Sequence, residues 1–258
     1  MAVALVTGAS RGVGRGVAVA LGAAGWTVWV TGRSSRATGT TSHLPGTIED
    51  TAEAVVAAGG GAVAWRCDHR DEEAVRELAA ALGDRHGSLD LLVNNTWSGY
   101  ERLNAGAWQE WNSPFFDQPL DLFDSMVASG VRSHYMTTAL CSPLLMAAPS
   151  ATVVIVSFGA EAGPVAYAVA KAADDRLAAA LSRAFPAGDI TCCALHPGLV
   201  RTEGVLQFAE HLDLSESQSP EGVGRAVAAL AADADRRQLD GRIVSVDELA
   251  TRYGLEVG

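Results

Sequence analysis

The sequence predicts an α/β fold in which a parallel sheet of about seven strands carries helices on both faces, the doubly wound arrangement. Three observations lead to this prediction. Seven short β-rich runs alternate with helical patterns along the chain, and a glycine-rich turn follows the first run. The 258 residues are 48% hydrophobic, which is ample for the large core that such a sheet needs.

The individual elements follow from composition and periodicity. Strands are predicted at 3–7, 27–31, 62–66, 89–93, 152–157, 190–195 and 242–246. Helices are predicted at 13–24, 47–58, 71–86, 120–147, 164–184 and 220–232. This alternation implies right-handed βαβ units. We expect one domain over 1–258, with irregular stretches at 96–119 and 199–219 that follow strands, where open α/β sheets place their ligand sites.

Composition argues against several classes of function. The net charge of -11 argues against a nucleic-acid partner. No apolar run approaches the ~18 residues of a membrane span, and no basic segment precedes the first hydrophobic residues, so we expect a cytoplasmic protein without a membrane partner. Cys67, Cys141, Cys192 and Cys193 lack C-x-x-C spacing, so we expect reduced, buried thiols and no metal site.

The first βα turn, VTGASRGVGRGVA, is a candidate dinucleotide site. Gly8, Gly12 and Gly14 stand where a strand must turn tightly into a helix, which lets backbone N–H groups approach a diphosphate. The spacing G-x-x-x-G-x-G differs from the G-x-G-x-x-G fingerprint and is weak alone, because glycine also serves turns and packing. The position directly after the first strand strengthens the interpretation.

The stretch YAVAK places a phenol and an ammonium four residues apart on a predicted helix that follows Pro164. Tyr167 and Lys171 therefore share a helix face. A cation beside a phenol favours the phenolate, so the pair can act as a tuned proton donor. An isolated Y-x-x-x-K is more often a core tyrosine and a solvated lysine, so the functional interpretation depends on the other motifs.

Five ordered motifs resemble those of the short-chain dehydrogenase/reductase family over nearly the whole chain. They are TGASRGVG, CDHRDE, NNT, YAVAK and HPGLVRT. The ending DELATRYGL and the aromatic segment after Asn95 resemble the branch of this family represented by animal dehydrogenase/reductase member one. The resemblance implies a Rossmann-type sheet and an oxidoreductase that moves a hydride between a nicotinamide and a carbonyl compound or secondary alcohol.

The resemblance also implies catalytic roles. Tyr167 would donate the proton, and Lys171 would lower the pKa of Tyr167 and bind the nicotinamide ribose. Ser157 would hydrogen-bond the carbonyl oxygen. A register change of one residue would put Phe158 in the place of that serine, and Ser157 is preferred because the alternative supplies no hydroxyl.

The charges after the second strand favour NADP(H) over NAD. Enzymes that select NAD present an acid there, whereas arginine accommodates a 2′-phosphate. Arg33 follows the strand, Arg11 approaches the same phosphate by resemblance, and residues 31–48 contain no Asp or Glu. Asp68 would accept from the adenine amino group, and Asn94 would tie strands together near the adenosine. The complete implied cofactor set is Gly8, Ser10, Arg11, Gly12, Val13, Gly14, Arg33, Asp68, Asn94, Tyr167, Lys171, Pro197, Gly198, Val200 and Thr202.

Two departures from the family pattern keep alternatives open. Gly130 stands where the family has an asparagine that holds a proton-relay water, so the main alternative is a regulator that binds the cofactor without catalysis. Thr96 and Trp97 replace the Ala and Gly of N-N-A-G, so that loop should take another path. Dehydration or epimerisation by a relative of the same fold is a third possibility, although those relatives usually have longer chains.

Aromatic residues concentrate between 96 and 119. They are Trp97, Tyr100, Trp108, Trp111, Phe115 and Phe116. Such a segment suits an apolar or aromatic carbonyl substrate, and it suits equally well a subunit interface or a satellite core. We expect a homodimer or homotetramer. The polar stretch 201–222 is expected to form a mobile lid over the substrate.

Overall fold

Seven parallel strands form a sheet in the order β3-β2-β1-β4-β5-β6-β7. The computed structural model describes residues 1–99, 101, 108–159, 163–186 and 190–258. The strands are β1 (Val3–Val6), β2 (Thr27–Gly32), β3 (Gly61–Arg66), β4 (Leu91–Asn94), β5 (Ala151–Val156), β6 (Ile190–His196) and β7 (Ile243–Ser245). The predicted doubly wound sheet is confirmed, and every predicted strand overlaps the observed one.

The helices flank this sheet. They are α1 (Gly12–Ala23), α2 (Ile48–Ala57), α3 (Glu72–His86), α4 (Trp108–Asn112), α5 (Leu120–Val127), α6 (Ser133–Ala147), α7 (Val165–Ala184), α8 (Glu203–Leu206), α9 (Pro220–Ala232) and α10 (Val246–Tyr253). A π-helical segment, Ala128–Arg132, interrupts the helix predicted at 120–147. Helix α10 was not predicted either; Ser245 caps it by accepting a hydrogen bond from Glu248 N at 3.0 Å.

Alternate residues of β1 pack on opposite faces of the sheet. Ala4 and Val6 belong to the core that lies under α1, α2, α9 and α10. Val3 and Leu5 belong to the core under α3, α6 and α7. Because both faces are covered, strand residues of either parity are buried and the strands read as continuous apolar runs.

The strand order reverses between β1 and β4, the point at which doubly wound sheets bind ligands. Thr7 N donates to Val93 O at 3.0 Å. The Asn95 side chain donates to the main-chain oxygens of Thr7 and Gly8 at 3.0 and 3.1 Å. The ends of the two central strands are thus fixed together at the position where the glycine-rich turn begins.

All four cysteines are buried and unpaired, as predicted. Burial raises the pKa of Cys67, Cys141 and Cys193 to about 12, so these thiols stay protonated at neutral pH. No helix in the described ranges has the length and apolar character needed to cross a membrane.

Candidate active site

The glycine-rich turn brings main-chain N–H groups to a cleft at the strand reversal. Gly8 and Gly12 have φ angles of 63° and 55°, in the left-handed region where other residues are strained. A Cβ on Gly14 would lie 2.5 Å from Asn95 Nδ2 and 2.6 Å from Gly8 O, so only glycine lets α1 start this close to the strands. The Arg11 side chain at the N-cap makes no capping hydrogen bond. This helix end is therefore suited to an anion.

An acidic side chain already lies at that helix end. Gly12 N donates to Glu203 Oε2 at 2.9 Å, across 191 residues of sequence. A carboxylate at a helix N-terminus has the charge and the acceptor atoms that a phosphate would bring. Glu203 was not predicted as a site residue, because no local pattern indicates that α8 reaches the start of α1.

The cleft continues from the glycine turn past the carboxyl ends of β2 and β3. Its walls include eight of the predicted cofactor residues: Gly8, Ser10, Arg11, Gly12, Val13, Arg33, Asp68 and Thr202. The structure therefore brings the predicted diphosphate residues and the predicted phosphate-binding arginines to one site.

Both predicted phosphate-binding arginines have protein partners. Arg11 donates to Ser34 Oγ at 2.8 Å and to Pro45 O at 2.9 Å. Arg33 forms an ion pair with Glu101, which also lines the cleft. Arg33 therefore has a carboxylate partner although residues 31–48 contain no acid, because Glu101 comes from a different loop.

Asp68 is an ionised acceptor in the same cleft. Burial by itself would raise its pKa, but hydrogen bonds from Arg70, including one of 2.7 Å from Nη2 to Oδ2, lower the pKa to about 2. An ionised carboxylate at this place is compatible with the predicted hydrogen bond from an adenine amino group.

The two adjacent asparagines have different tasks. Asn94 is fully buried and donates to Thr138 Oγ1 of α6 at 2.9 Å. It therefore ties β4 to a helix, whereas Asn95 ties β4 to β1 and lines the cleft. The strand-tying role that the resemblance implied for Asn94 belongs in this chain to Asn95.

The Pro-Gly turn carries the chain from β6 back to the glycine turn. Gly198 follows Pro197 and has a φ of 70°. Val200 continues the turn by forming an isolated parallel bridge with Gln218. Thr202 caps α8, and a Cβ on Gly12 would lie 3.1 Å from Thr202 Cγ2. The predicted residues of this turn thus reach the cleft at Thr202.

Helix α7 presents Tyr167 and Lys171 one turn apart, as predicted, and both side chains are 6% exposed. Lys171 Nζ donates to Val156 O at 3.2 Å, and Ser157 Oγ donates to Lys171 O at 3.0 Å. Two hydrogen bonds therefore fix the end of β5 to α7 around Lys171.

Comparison with known proteins identifies the family. The model described as short chain dehydrogenase matches residues 2–212. The chain is 35% identical to the mouse protein named Dehydrogenase/reductase SDR family member 1, and the match covers 98% of this chain and 82% of the relative. The human protein of that name is 32% identical with the same coverage. The chain belongs to the short-chain dehydrogenase/reductase family.

A solved structure agrees with this membership at the level of the fold. The 3-oxoacyl-[acyl-carrier protein] reductase from Brucella melitensis, in complex with NAD, has a TM-score of 0.80 at 23% identity, covering 96% of each chain. The family and branch predicted from the motifs are confirmed. The protein is thus an oxidoreductase of a hydride-transferring family.

Among the described residues, three aromatic rings lie against Tyr167 in this family member. The ring centroids of Trp97, Trp111 and Phe158 lie 5.5, 5.2 and 6.1 Å from that of Tyr167. Together with Leu122, these side chains form a small apolar cluster between α5 and α7. The ring of Tyr167 is thus packed among apolar side chains.

The predicted aromatic segment divides into two parts. Trp97 and Trp111 lie at Tyr167, whereas Phe115 and Phe116 are 67% and 83% exposed. Tyr100 and the side chain of Trp108 lie outside the described residues.

The register between Ser157 and Phe158 matters because the first carries the predicted hydroxyl. Phe158 packs against Tyr167, whereas the Ser157 hydroxyl donates to the main chain of α7 at Lys171. Ser157 is 2% exposed. Its hydrogen bond to a substrate oxygen stays a prediction, and it would require this hydroxyl to exchange a main-chain acceptor for the substrate.

The indole of Trp97 lies where a side chain at position 130 would point. A Cβ on Gly130 would lie 2.8 Å from Trp97 Cζ3. The same indole covers the ammonium of Lys171, with Nζ 4.2 Å from the ring centroid, a cation–π contact. Gly130 and Trp97 are therefore complementary, and an asparagine at 130 would have to displace the ring.

A buried cluster of charged groups lies beside Lys171, and the sequence analysis missed it. Asp174 Oδ2 lies 3.6 Å from Lys171 Nζ, and Asp174 Oδ1 lies 2.9 Å from His134 Nδ1. His134 Nε2 lies 3.0 Å from Thr96 O. Asp174 and His134 are 0% and 1% exposed. The cluster joins α6, α7 and the loop after β4.

The charges in this cluster depend on one another. Burial would raise the pKa of Asp174, but His134 and Lys171 outweigh this effect and the pKa lies below its usual value. Burial lowers the pKa of Lys171, and Asp174 opposes that change. Asp174 thus favours the charged form of the buried lysine.

One signal for this site was present in the sequence. Lys171 is the only lysine in the chain, and every other member of its 19 Lys and Arg residues is an arginine. Arginine supplies positive charge equally well at a surface, whereas a compact ammonium with a movable pKa is particular to lysine. A single lysine in an arginine-rich chain therefore indicates a position that needs an ammonium.

Proposed function

We propose that this protein is an NADP(H)-dependent dehydrogenase/reductase that interconverts a carbonyl compound and a secondary alcohol, with an apolar or aromatic substrate. The observation that carries the proposal is the buried Tyr167 and Lys171 pair on one face of α7. Its apolar aromatic surroundings support an apolar substrate.

The glycine turn supports a dinucleotide cofactor. Gly14 leaves no space for a side chain between α1 and Asn95, and Arg11 does not cap the helix end. The main chain at Ser10 and Gly12 would hold the diphosphate there. When bound, the reduced nicotinamide supplies the hydride that reaches the carbonyl carbon.

The residues of α7 supply the proton chemistry. Tyr167 donates its proton to the carbonyl oxygen as negative charge develops on it. The ammonium of Lys171 stabilises the phenolate that remains. Trp97 covers this ammonium at 4.2 Å, so a contact between Lys171 and the cofactor ribose would require the indole to move.

The preference for NADP(H) is supported by Arg11 and Arg33, which both line the cleft. A 2′-phosphate has two negative charges to offer these guanidinium groups, whereas NAD offers hydroxyls. Glu101 competes with the phosphate for Arg33. The preference therefore depends on how readily this ion pair opens.

The test of the enzymatic proposal is a screen of the purified protein with NADPH and with NADH against aliphatic, aromatic and steroid-like carbonyl compounds. We expect NADPH oxidation with at least one apolar class. Tight NADPH binding without turnover in the whole screen would favour the regulator. A product that is dehydrated or epimerised, with no net change in NADPH, would favour the third alternative.

The aromatic cluster provides a test of substrate class. Trp111→Ala should change the relative activity towards bulky and small carbonyls and leave NADPH affinity nearly unchanged, because Trp111 touches Tyr167. Phe116→Ala is the matched control, since Phe116 lies in the same segment but is 83% exposed. If both variants keep the selectivity of the original protein, the cluster is not the pocket wall.

We extend the proposal to a homodimer or homotetramer. Tyr135 and Met146 of α6 are 60% and 51% exposed, and Val165 and Val169 of α7 are 47% and 45% exposed. Apolar side chains exposed on two neighbouring helices suit an interface with another subunit. Sedimentation velocity tests this directly, and a monomer at micromolar concentration would contradict it.

A further inference from the structure

The buried carboxylate of Asp174 stands between two basic side chains. Lys171 Nζ lies 3.6 Å from one oxygen and His134 Nδ1 lies 2.9 Å from the other. Oδ2 has no hydrogen-bond partner among the described residues, so its interaction with Lys171 is mainly one of charge. Burial of a carboxylate costs free energy unless groups of opposite charge lie beside it.

Hydrogen-bond partners set the number of protons in the cluster. Thr96 O can only accept, so the proton of that contact is on His134 Nε2. The short contact of Nδ1 with Asp174 Oδ1 requires a second proton, located on the ring or on the carboxyl. In either case the pair of His134 and Asp174 has no net charge. The cluster is therefore cationic only while Lys171 is protonated.

The geometry relates this cluster to Tyr167. Tyr167, Lys171 and Asp174 are spaced i, i+4 and i+7 on α7, which places them along one helix face. Gly130 and His134 are likewise four residues apart, and a Cβ on Gly130 would lie 3.8 Å from Asp174 Oδ2. Asp174 therefore faces the position at which the family's asparagine would point.

We propose that Asp174, flanked by His134, is the positioning residue that holds Lys171 as an ammonium beside Tyr167 in this chain, where Gly130 replaces the family's asparagine. Its effect on catalysis rests on the proposed function. Its effect on the charge of Lys171 does not, and the two can be measured separately.

The groups that act on Lys171 come from two helices. Asp174 and Asp175 of α7 favour the ammonium, and His134 of α6 opposes it by sharing the Asp174 carboxylate. Tyr167 is the other titratable group on this face. Val156 O and the Trp97 ring also touch the ammonium, but neither titrates. Asp174 is thus the main source of compensation for a buried cation.

The experiment uses the full chain with an isotope-labelled lysine side chain. Because Lys171 is the only lysine, its NMR signal is the single lysine signal and its titration gives the pKa directly. We expect Asp174→Asn to lower this pKa by about one unit or more, a tenfold change in the protonation equilibrium. Asp175→Asn is the matched control, because Asp175 pairs with His196 and should change the titration much less.

A second variant should change the pKa of Lys171 in the opposite direction. His134→Gln removes the competing base and keeps a hydrogen-bond donor, so Asp174 becomes a full carboxylate towards Lys171 and the pKa of Lys171 should rise. This result is expected wherever the shared proton lies. It also keeps the proposal testable if Asp174→Asn does not fold.

The catalytic readout is the pH profile of carbonyl reduction. Lys171 is charged below its pKa, so lowering that pKa in Asp174→Asn should move the alkaline limb of kcat to lower pH by a similar amount, with little change in KM. A titration of Lys171 that is unchanged in Asp174→Asn, or a fall in His134→Gln, overturns the proposal. An altered titration with no carbonyl turnover by the original protein would instead refute only the proposed function.

Discussion

Two regions of the molecule hold their charges differently: the cleft at the glycine turn, here called the nucleotide end, and the buried surroundings of Tyr167, here called the Tyr167 end. At the nucleotide end, the side chains of Arg33 and Glu101 are 23% and 37% exposed, and those of Asp68 and Arg70 are 30% and 41% exposed. Glu203 likewise contacts the start of α1 from α8, the helix that follows the Pro-Gly turn. The ion pairs of Arg33 and of Asp68 are thus partly open to solvent, which can replace either partner.

At the Tyr167 end, the charges are enclosed. The side chains of Lys171, Asp174 and His134 are at most 8% exposed. Exposed ion pairs contribute ~0–1 kcal/mol, whereas removal of one partner from a buried pair costs ~3–5 kcal/mol. We infer that the nucleotide end exchanges its internal partners for a ligand, while the buried ion pairs of Asp174 with Lys171 and His134 stay intact.

The largest effect should come from the enclosed end. Tyr167→Phe removes one oxygen and keeps the ring, so packing and NADPH affinity should survive. Loss of a general acid should lower kcat by ~10²- to 10⁴-fold with any carbonyl that the original protein reduces. Steady-state kinetics and calorimetric NADPH binding on the same sample separate the two effects. Turnover equal to that of the original protein would make the pair with Lys171 purely structural.

Removal of the buried carboxylate should strongly destabilise the fold. Asp174→Ala leaves Lys171 buried without its counter-ion and His134 Nδ1 without its partner, and we expect a loss of ~3–5 kcal/mol in the free energy of unfolding, measured in urea. Asp175→Ala should cost ~1 kcal/mol or less, since its pair with His196 is partly exposed. Equal losses in the two variants would remove the distinction between enclosed and exposed charges.

The fold was largely readable from the sequence. Strands such as β5, with every residue buried, give continuous apolar runs that local patterns detect. The break at Ala128–Arg132 was missed, because the residue that packs against Gly130 is Trp97, distant in sequence. Helix α10 was missed as well, because its first residue, Val246, was assigned to the last predicted strand.

The site was predicted only where its residues are neighbours in sequence. The turn from Gly8 to Gly14 and the pair on α7 have fixed local spacings, which a pattern can specify. Glu101, Glu203 and the bond between His134 and Asp174 arise from contacts between distant segments. No spacing in the sequence specifies such contacts, although the single lysine pointed to the region.

An intermediate effect tests the packing between the two ends. Gly130→Ala forces a methyl group to within 2.8 Å of the Trp97 ring, and we expect a loss of ~1–3 kcal/mol in unfolding free energy. The cost should shrink when the same change is made in a Trp97→Leu background, as a double-mutant cycle would show. If the losses of unfolding free energy from the two changes were additive, the indole would not be what restricts the side chain at position 130. Gly130→Asn should likewise disturb the site more than it restores a relay.

A smaller effect is expected for cofactor selection. If Arg33 and Arg11 hold a 2′-phosphate, NADPH should bind at least tenfold tighter than NADH, or ~1.4 kcal/mol. Arg33→Asp should lose most of this preference, and Glu101→Gln should increase it by freeing Arg33. Calorimetry with both cofactors measures the ratio for each variant. Equal affinities for the two cofactors in the original protein would refute the assignment.

The smallest effect should come from Glu203. Its carboxylate accepts from Gly12 N at 2.9 Å, so a cofactor diphosphate must displace an acid of like charge from the start of α1. Glu203→Gln keeps the shape and removes the charge, and we expect affinity for NADPH and NADH to rise together by a few-fold, or ~0.3–1 kcal/mol. The equal effect on both cofactors distinguishes a diphosphate competitor from Glu101, whose replacement should affect NADPH alone. Glu210→Gln is the matched control, because Glu210 lies seven residues further along the chain and is exposed. A weaker affinity in Glu203→Gln would show that the carboxylate supports the cofactor site, and the exchange of partners inferred for the nucleotide end would then not extend to α1.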